Sequence, residues 1–358
     1  MWPYFVIPGF VAFMSLISRG KQVHYYTWGL TFVALLLFVG LRHKVGMDWN
    51  NYLIMIERVY KSPTLMDAFN VSEPGYALLL WASAELGFGV YGSNLVGTLI
   101  FCLGLFRFAR TTPHPWTALL VAMPMLVTVV AMSANRQAVA IGVLLWVVAT
   151  WSTSSLVRRV AGILFAALFH YSALLFLVFA AADLKIRNSF KVVLGGAFMA
   201  GVFYVLATTG QADYYDSLYV TGQTEMTQSE GAIFHVMLNG GPAALFFLLS
   251  GKQRALLFPS QLHRLMAFLA VALVPAALLT SAAAGRITLY LFPVSMFVIS
   301  AFPLLVSSKQ QKALVRYGIA LFMLLVLFVW LAFANSSLAH RPYGNFLTVP
   351  NFEWRLCC

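Results

Sequence analysis

Charge is scarce in this chain: 9% of its 358 residues are Asp, Glu, Lys or Arg, against roughly 25% in an average soluble domain. With 61% hydrophobic residues, no soluble fold could hide the apolar surface. Cysteine is also rare. Cys102 lies in an apolar run and Cys357 and Cys358 are adjacent, which excludes a disulfide framework and a cysteine metal site. Histidine pairs at i and i+4 and acidic pairs at ligand spacing are missing, so no metal site can be built. A phosphate-binding Gly-rich loop is absent too, which leaves cytoplasmic nucleotide chemistry without machinery, and no cofactor is expected. There is no internal repeat, heptad array or low-complexity tract, so residues 1–358 read as one transmembrane domain. The first apolar stretch, from Trp2, lacks a basic n-region and a clear cleavage site and is expected to be retained as a span.

Long apolar runs fill the space that charge leaves. A hydrocarbon core about 30 Å thick needs roughly 20 apolar residues per helix. The runs predict helices near residues 2–18, 25–41, 92–108, 117–132, 138–152, 192–209, 233–250, 265–283, 287–306 and 317–335. Stretches 75–88, 158–170 and 171–184 are apolar but short, which suits re-entrant or tilted pieces. The fold class expected is therefore an all-α polytopic membrane protein with about 10 to 13 transmembrane or re-entrant helices.

The 23 Lys and Arg against 11 Asp and Glu reflect topology rather than nucleic acid, because basic residues collect in short cytoplasmic loops. Arg19 with Lys21, Arg107 with Arg110, Arg158 with Arg159, Lys185 to Lys191, Lys252 to Arg264 and Lys309 to Arg316 mark those loops. The N-terminus, 42–74, 133–137, 210–232, 284–286 and the tail 336–358 fall on the outer face. Segment 210–232 carries Asp213, Asp216, Glu225 and Glu230 with no Lys or Arg, as an external loop would.

Three arginines break the charge pattern by sitting at the outer ends of helices: Arg42 after the second span, Arg136 in the short loop 133–137, and Arg286 after Ala282-Ala283-Ala284-Gly285. An unpaired charge near the interface costs up to about 3 kcal/mol depending on depth. Arginine forks grip phosphate oxygens two at a time, so several together suit a pyrophosphate at headgroup level. The bland alternative is that each snorkels to water or bonds a helix carbonyl.

The block Gly40-Leu41-Arg42-His43-Lys44-Val45-Gly46-Met47-Asp48-Trp49-Asn50-Asn51-Tyr52 opens an external stretch of acids, amides and aromatics, a chemistry suited to sugars. Tyr214, Tyr215 and Tyr219 extend it, although interfacial belt residues look the same. Asp48 is placed either as a general base or as a partner for Arg42 or Lys44. Glu73, before Pro74, either orients an acceptor or is an ordinary helix-start acid. His170 sits between two apolar runs, and imidazole ordinarily titrates near neutrality, so it is a candidate base or phosphate ligand. A histidine satisfied by backbone or hydroxyl is the alternative; His235 and His263 read as structural.

These residues resemble the EpsG-like, or Wzy-type, polysaccharide polymerases, whose signature looks like G-x-R-x-x-x-G-x-D-x-x-x-Y after an early span. Gly40, Arg42, Gly46, Asp48 and Tyr52 fit it. Glu73-Pro74-Gly75, Asn135-Arg136-Gln137, His170 before Ser172, and Arg286 with Tyr290 follow in the family's order. The likeness spans most of residues 40–292; the flanks, loop 210–232 and tail show no recognised pattern.

The resemblance implies a fold similar to the C-type (GT-C) membrane glycosyltransferases, in a bacterial inner membrane with the active site on the outer side. It implies a metal-independent polymerase that transfers a growing glycan from undecaprenyl pyrophosphate to the terminal hydroxyl of an incoming lipid-linked repeat unit. Asp48 or His170 would be the base. Arg42, Arg136 and Arg286 would hold pyrophosphate, and Glu73, Tyr52, Gln137 and Tyr290 would line the substrate site. Partners would be undecaprenyl-pyrophosphate-linked oligosaccharides, membrane lipids, and a chain-length regulator and flippase of the same pathway, with no nucleic acid. The rival readings are a flippase of the same lipid-linked glycan, which would need cations on both faces, a membrane acyltransferase using His170, and an O-antigen ligase.

Overall fold

The protein is described by a computed structural model covering residues 1–184, 187, 190, 232–279 and 281–348. The predicted helix 192–209, nearly all of loop 210–232 and the end of the tail lie outside the described residues. The described chain is all helical, with one isolated antiparallel bridge between Arg42 and Asn345.

In chain order the helices are α1 (Pro3–Ile17), α2 (Tyr25–Gly40), α3 (Trp49–Tyr60), α4 (Leu65–Ala68), α5 (Pro74–Glu85), α6 (Gly89–Ala109), α7 (Pro115–Ala122), α8 (Asn135–Ala149), α9 (Leu156–Ala167), α10 (Leu177–Ala182), α11 (Ala232–Leu248), α12 (Gly251–Leu257), α13 (Gln261–Leu279), α14 (Ser281–Tyr290), α15 (Phe292–Ala301) and α16 (Lys309–Phe333). A π-helical stretch, Met123–Ala131, prolongs α7. Among the described residues three helices, within α6, α13 and α16, are long and apolar enough to cross a membrane. The bent pair from Ala284 to Leu305 has the length and composition of a broken span or a re-entrant loop, and six shorter apolar helices accompany them among the described residues. This is an all-α polytopic membrane protein.

Contacts divide the chain into two compact units, Met1–Thr153 with Ala161–Ala173 and Met296–Cys358, and Ser154–Val160 with Leu174–Ser295. In the first unit α6 packs along α8, with α2 and α5 also against α6 and α1 against α7 and α16. The tightest crossing is at Gly104 and Gly142: a Cβ on Gly104 would lie 1.8 Å from the Gly142 carbonyl oxygen. Small residues let apolar helices approach where lipid supplies no hydrophobic drive between them. In the second unit α11 packs on α13 and α14, and Asn239 Nδ2 donates to the Thr288 carbonyl at 2.6 Å.

Several expectations are corrected. Arg136 lies in the first turn of α8 rather than in a loop. The external loop expected at 284–286 is helical, which puts Arg286 inside α14. The predicted span 287–306 is bent by 56° between Tyr290 and Phe292, because Pro293 follows at the second position of α15 and proline cannot continue the preceding ladder. Stretch 42–74 folds into α3 and α4. Trp49, Tyr52, Ile56 and Val59 are the buried residues of α3, the stripe of an amphipathic helix lying on a core.

Candidate active site

The loop after α2 is shaped first by backbone. Gly46 has φ +105°, and a Cβ there would stand 1.9 Å from the Met132 carbonyl oxygen, so only glycine fits. Its N–H donates to Ala339 O at 2.8 Å, His43 N–H to Gly344 O at 2.9 Å, and Phe346 N–H to Leu41 O at 2.7 Å. The segment 339–346 thus straps the loop that carries Arg42 and Asp48. The same strap caps α2. Asn345 Nδ2 donates to Leu37 O at 3.1 Å, which also accepts the Leu41 N–H at 3.2 Å, and the Tyr343 hydroxyl donates to Phe38 O at 2.8 Å, a carbonyl near the open end of the helix.

Arg42 completes that cap from inside. Nη1 donates to Val39 O at 2.9 Å and Nη2 to Asn94 Oδ1 at 3.1 Å. Its side chain, expected to face substrate, is instead 1% exposed, and burial pulls the guanidinium pKa down from its ordinary value. Beyond it runs a chain of buried amides and phenols. Asn135 Nδ2 donates to Asn94 Oδ1 at 3.0 Å and to the Tyr76 hydroxyl at 3.1 Å. The Tyr52 hydroxyl accepts the Arg136 backbone N–H at 3.2 Å, occupying one of the open donors of α8. His340 lies in the same region, its Nε2 3.4 Å from Ser133 Oγ. Burial holds that imidazole down at about 4, which keeps it neutral near Arg42.

Above this layer three motif pieces meet. Pro74 fixes the first turn of α5, and Gly75 N–H donates to Leu168 O at 2.8 Å, docking the start of α5 on the end of α9. Glu73, the N-cap residue, makes no side-chain cap bond. Its Oε2 accepts from Arg136 Nη1 at 2.9 Å and from the Ser72 hydroxyl at 2.8 Å, and its Oε1 pairs with His170 Nδ1 at 2.9 Å. Burial alone would push the Glu73 carboxyl up, but the His170 hydrogen bond and the Arg136 charge outweigh it and hold it at about 2. An ionised carboxylate only accepts, so His170 Nδ1 is the donor in this pair. Nε2 makes no hydrogen bond among the described residues. The Arg136 side chain is 37% exposed and that of Glu73 5%.

Of the expected site residues, the first unit therefore brings together Arg42, Tyr52, Glu73, Arg136 and His170. Asp48 is half-buried at the N-cap of α3, within electrostatic reach of Arg42 and Tyr52. Gln137 is buried beside Arg136. Arg286, exposed, and Tyr290, buried, lie on α14 in the other unit. Sequence reading missed Asn94, Tyr343, Asn345 and His340. A lone amide in the apolar run 89–109 was the one available signal for Asn94, since a buried amide in a membrane helix must find partners.

The arrangement offers a part-exposed guanidinium and an imidazole held by one carboxylate, groups of the kinds that can neutralise a leaving phosphate and move a proton. The EpsG family profile matches residues 25–345, which includes every residue placed in this site. No curated protein and no solved structure matches the chain.

Proposed function

Because the chain belongs to the EpsG family, we propose that it is a membrane glycosyltransferase that polymerises polysaccharide from lipid-linked repeat units, with its active site at Glu73, Arg136 and His170. Glu73 bridging Arg136 to His170 carries this reading.

The donor is a glycan on undecaprenyl pyrophosphate, and the acceptor is the terminal hydroxyl of an incoming repeat unit on its own carrier. The acceptor oxygen bonds to the anomeric carbon while the carbon–oxygen bond to the diphosphate breaks. His170 Nε2 takes the hydroxyl proton as the nucleophile attacks. The diphosphate leaves with the bonding pair, and the Arg136 nitrogens not engaged by Glu73 meet its growing charge, an interaction commonly worth about 3 kcal/mol in the barrier. Glu73 touches neither reactant. It fixes the imidazole tautomer and the guanidinium direction, as the carboxylate does in a serine triad.

Arg42, Tyr52 and Asn135 act one layer down. They hold the start of α8, and hence Arg136, against the loop after α2. The proposed site opens to the outer face of a bacterial inner membrane, where flipped repeat units arrive.

The test is purified protein in detergent with a synthetic undecaprenyl-pyrophosphate repeat unit and EDTA, followed by sizing of the glycan. A ladder that disappears in Arg136→Ala, with the variant still folded, is expected. An unchanged ladder in that variant removes Arg136 from the site, and no ladder from the native protein overturns the polymerase reading.

A further inference from the structure

The far end of α6 holds a second feature that the catalytic reading does not use. A groove of about 910 Å³ is lined by Tyr25, Trp28, Phe32, Leu103, Arg107 and Arg110, among others, between α2 and the C-terminal half of α6. Asn94 of the candidate active site is in the second turn of α6, which is 21 residues long. At 1.5 Å per residue Arg107 and Arg110 sit roughly 20 to 24 Å from Asn94 along the helix direction, most of the roughly 30 Å of a hydrocarbon core.

The groove has an aromatic floor. Trp28 and Phe32 stand edge-on to Phe106, with ring centroids 4.9 and 5.1 Å away. Leu30, Val33 and Leu103 are exposed along it. Tyr25 and Tyr26, 83% and 76% exposed, stand at the same end as Arg107 and Arg110, the arrangement of an interfacial tyrosine belt. Arg107 is steadied with its guanidinium carbon 4.8 Å from the Trp146 ring centre. Neither arginine is paired with a carboxylate among the described residues, and no acid lines the groove. Helix-dipole complementarity accounts for cations at this terminus, but not for the apolar trough beside them.

We propose that this groove is a binding site for an anionic phospholipid of the leaflet opposite the active site. The phosphate sits on Arg107 and Arg110, and one acyl chain lies over Trp28, Phe32 and Leu103. Charge complementarity selects the occupant: two cations without counter-ions at headgroup level, above an aliphatic and aromatic trough, match a lipid whose headgroup is net negative. A zwitterionic lipid brings its own cation to the same place. The inference rests on the membrane assignment alone and not on the chemistry at Glu73.

Native mass spectrometry of the full chain in detergent, titrated with phosphatidylglycerol and phosphatidylcholine of identical acyl chains, tests it. One phosphatidylglycerol should bind at least about fivefold more tightly than phosphatidylcholine. The Arg107→Gln/Arg110→Gln double variant should lose that preference while phosphatidylcholine binding stays the same. Gly29 lines the groove and a Cβ there meets open space, so Gly29→Leu should fold and weaken both lipids. Equal affinity for the two lipids in the native protein, or a preference retained in the double variant, reduces the groove to ordinary annular lipid. Undecaprenyl phosphate displacing phosphatidylglycerol at lower concentration overturns the proposed occupant.

Discussion

The upper and lower layers of the candidate site are built from the same kinds of residue and differ in what surrounds them. In the upper layer Glu73 satisfies both Arg136 and His170, and each partner keeps a face to solvent. In the lower layer Arg42 is buried against a carbonyl and an amide, with no carboxylate in salt-bridge range among the described residues. Arg42 Nε, Asn94 Nδ2, Thr98 Oγ1 and Asn135 Oδ1 have no hydrogen-bond partner among the described residues. Each such buried atom costs about 1–3 kcal/mol. An arginine in a motif can therefore touch substrate or hold the scaffold, and burial separates the two roles.

If that division is right, variants of the upper layer should lose far more rate than their loss of folded protein explains, and variants of the lower layer should lose stability before they lose rate. The largest effect is expected at the base: His170→Gln should slow polymerisation by about 10²–10⁴-fold in protein that still folds. Arg136→Ala should cost about 10²–10³-fold in turnover, and Arg136→Lys should recover only part of it because a point charge cannot reproduce the fork held by Glu73. A lower-layer residue that slowed the reaction as strongly, with unfolding unmoved, would erase the distinction.

Stability should respond in the other layer. Asn94→Ala removes the acceptor shared by Arg42 and Asn135 and should destabilise the protein by about 1–3 kcal/mol, read from its unfolding midpoint. The pH dependence of unfolding belongs to Glu73. Its carboxyl is held at about 2 against an ordinary 4.5, so the folded state binds its proton less readily than the unfolded one. The contribution should be fully present above about pH 4.5 and lost as pH falls toward about 2, and Glu73→Gln should flatten that part of the curve. The smallest effect is expected at Thr98, whose buried hydroxyl lacks a partner: Thr98→Val should be neutral or stabilise by up to about 1 kcal/mol. A clear loss there would show that the hydroxyl is satisfied.

The sequence discloses the two layers unequally. Apolar runs of near-membrane length placed most helices, since lipid imposes length and composition together. The motif pieces around Arg42, Glu73, Arg136 and His170 were visible because each puts a charged or titratable residue at the end of an apolar run. Their depth was not visible. Arg42 and Arg136 look alike as letters, and only the pairing of 41–46 with 339–346, nearly 300 residues away in the chain, shows that one is enclosed. Helix α3 went unread because Asn50, Asn51, Glu57 and Arg58 lower its mean hydropathy, although the spacing of its four buried residues was a usable signal. Arg286 was placed in a loop because small residues beside a charge read as a turn, whereas Ala284 and Gly285 lie in α14.

The most direct test of the central claim, that Glu73 acts through His170, is a double-mutant cycle on polymerisation rate with Glu73→Gln, His170→Gln and the combined variant. If Glu73 works by fixing the imidazole as well as the guanidinium, the double variant should lose clearly less than the product of the two single losses, because residues that act as a unit are strongly non-additive. Losses that multiply, with all three proteins folded, would contradict the account and leave Glu73 and His170 as independent contributors.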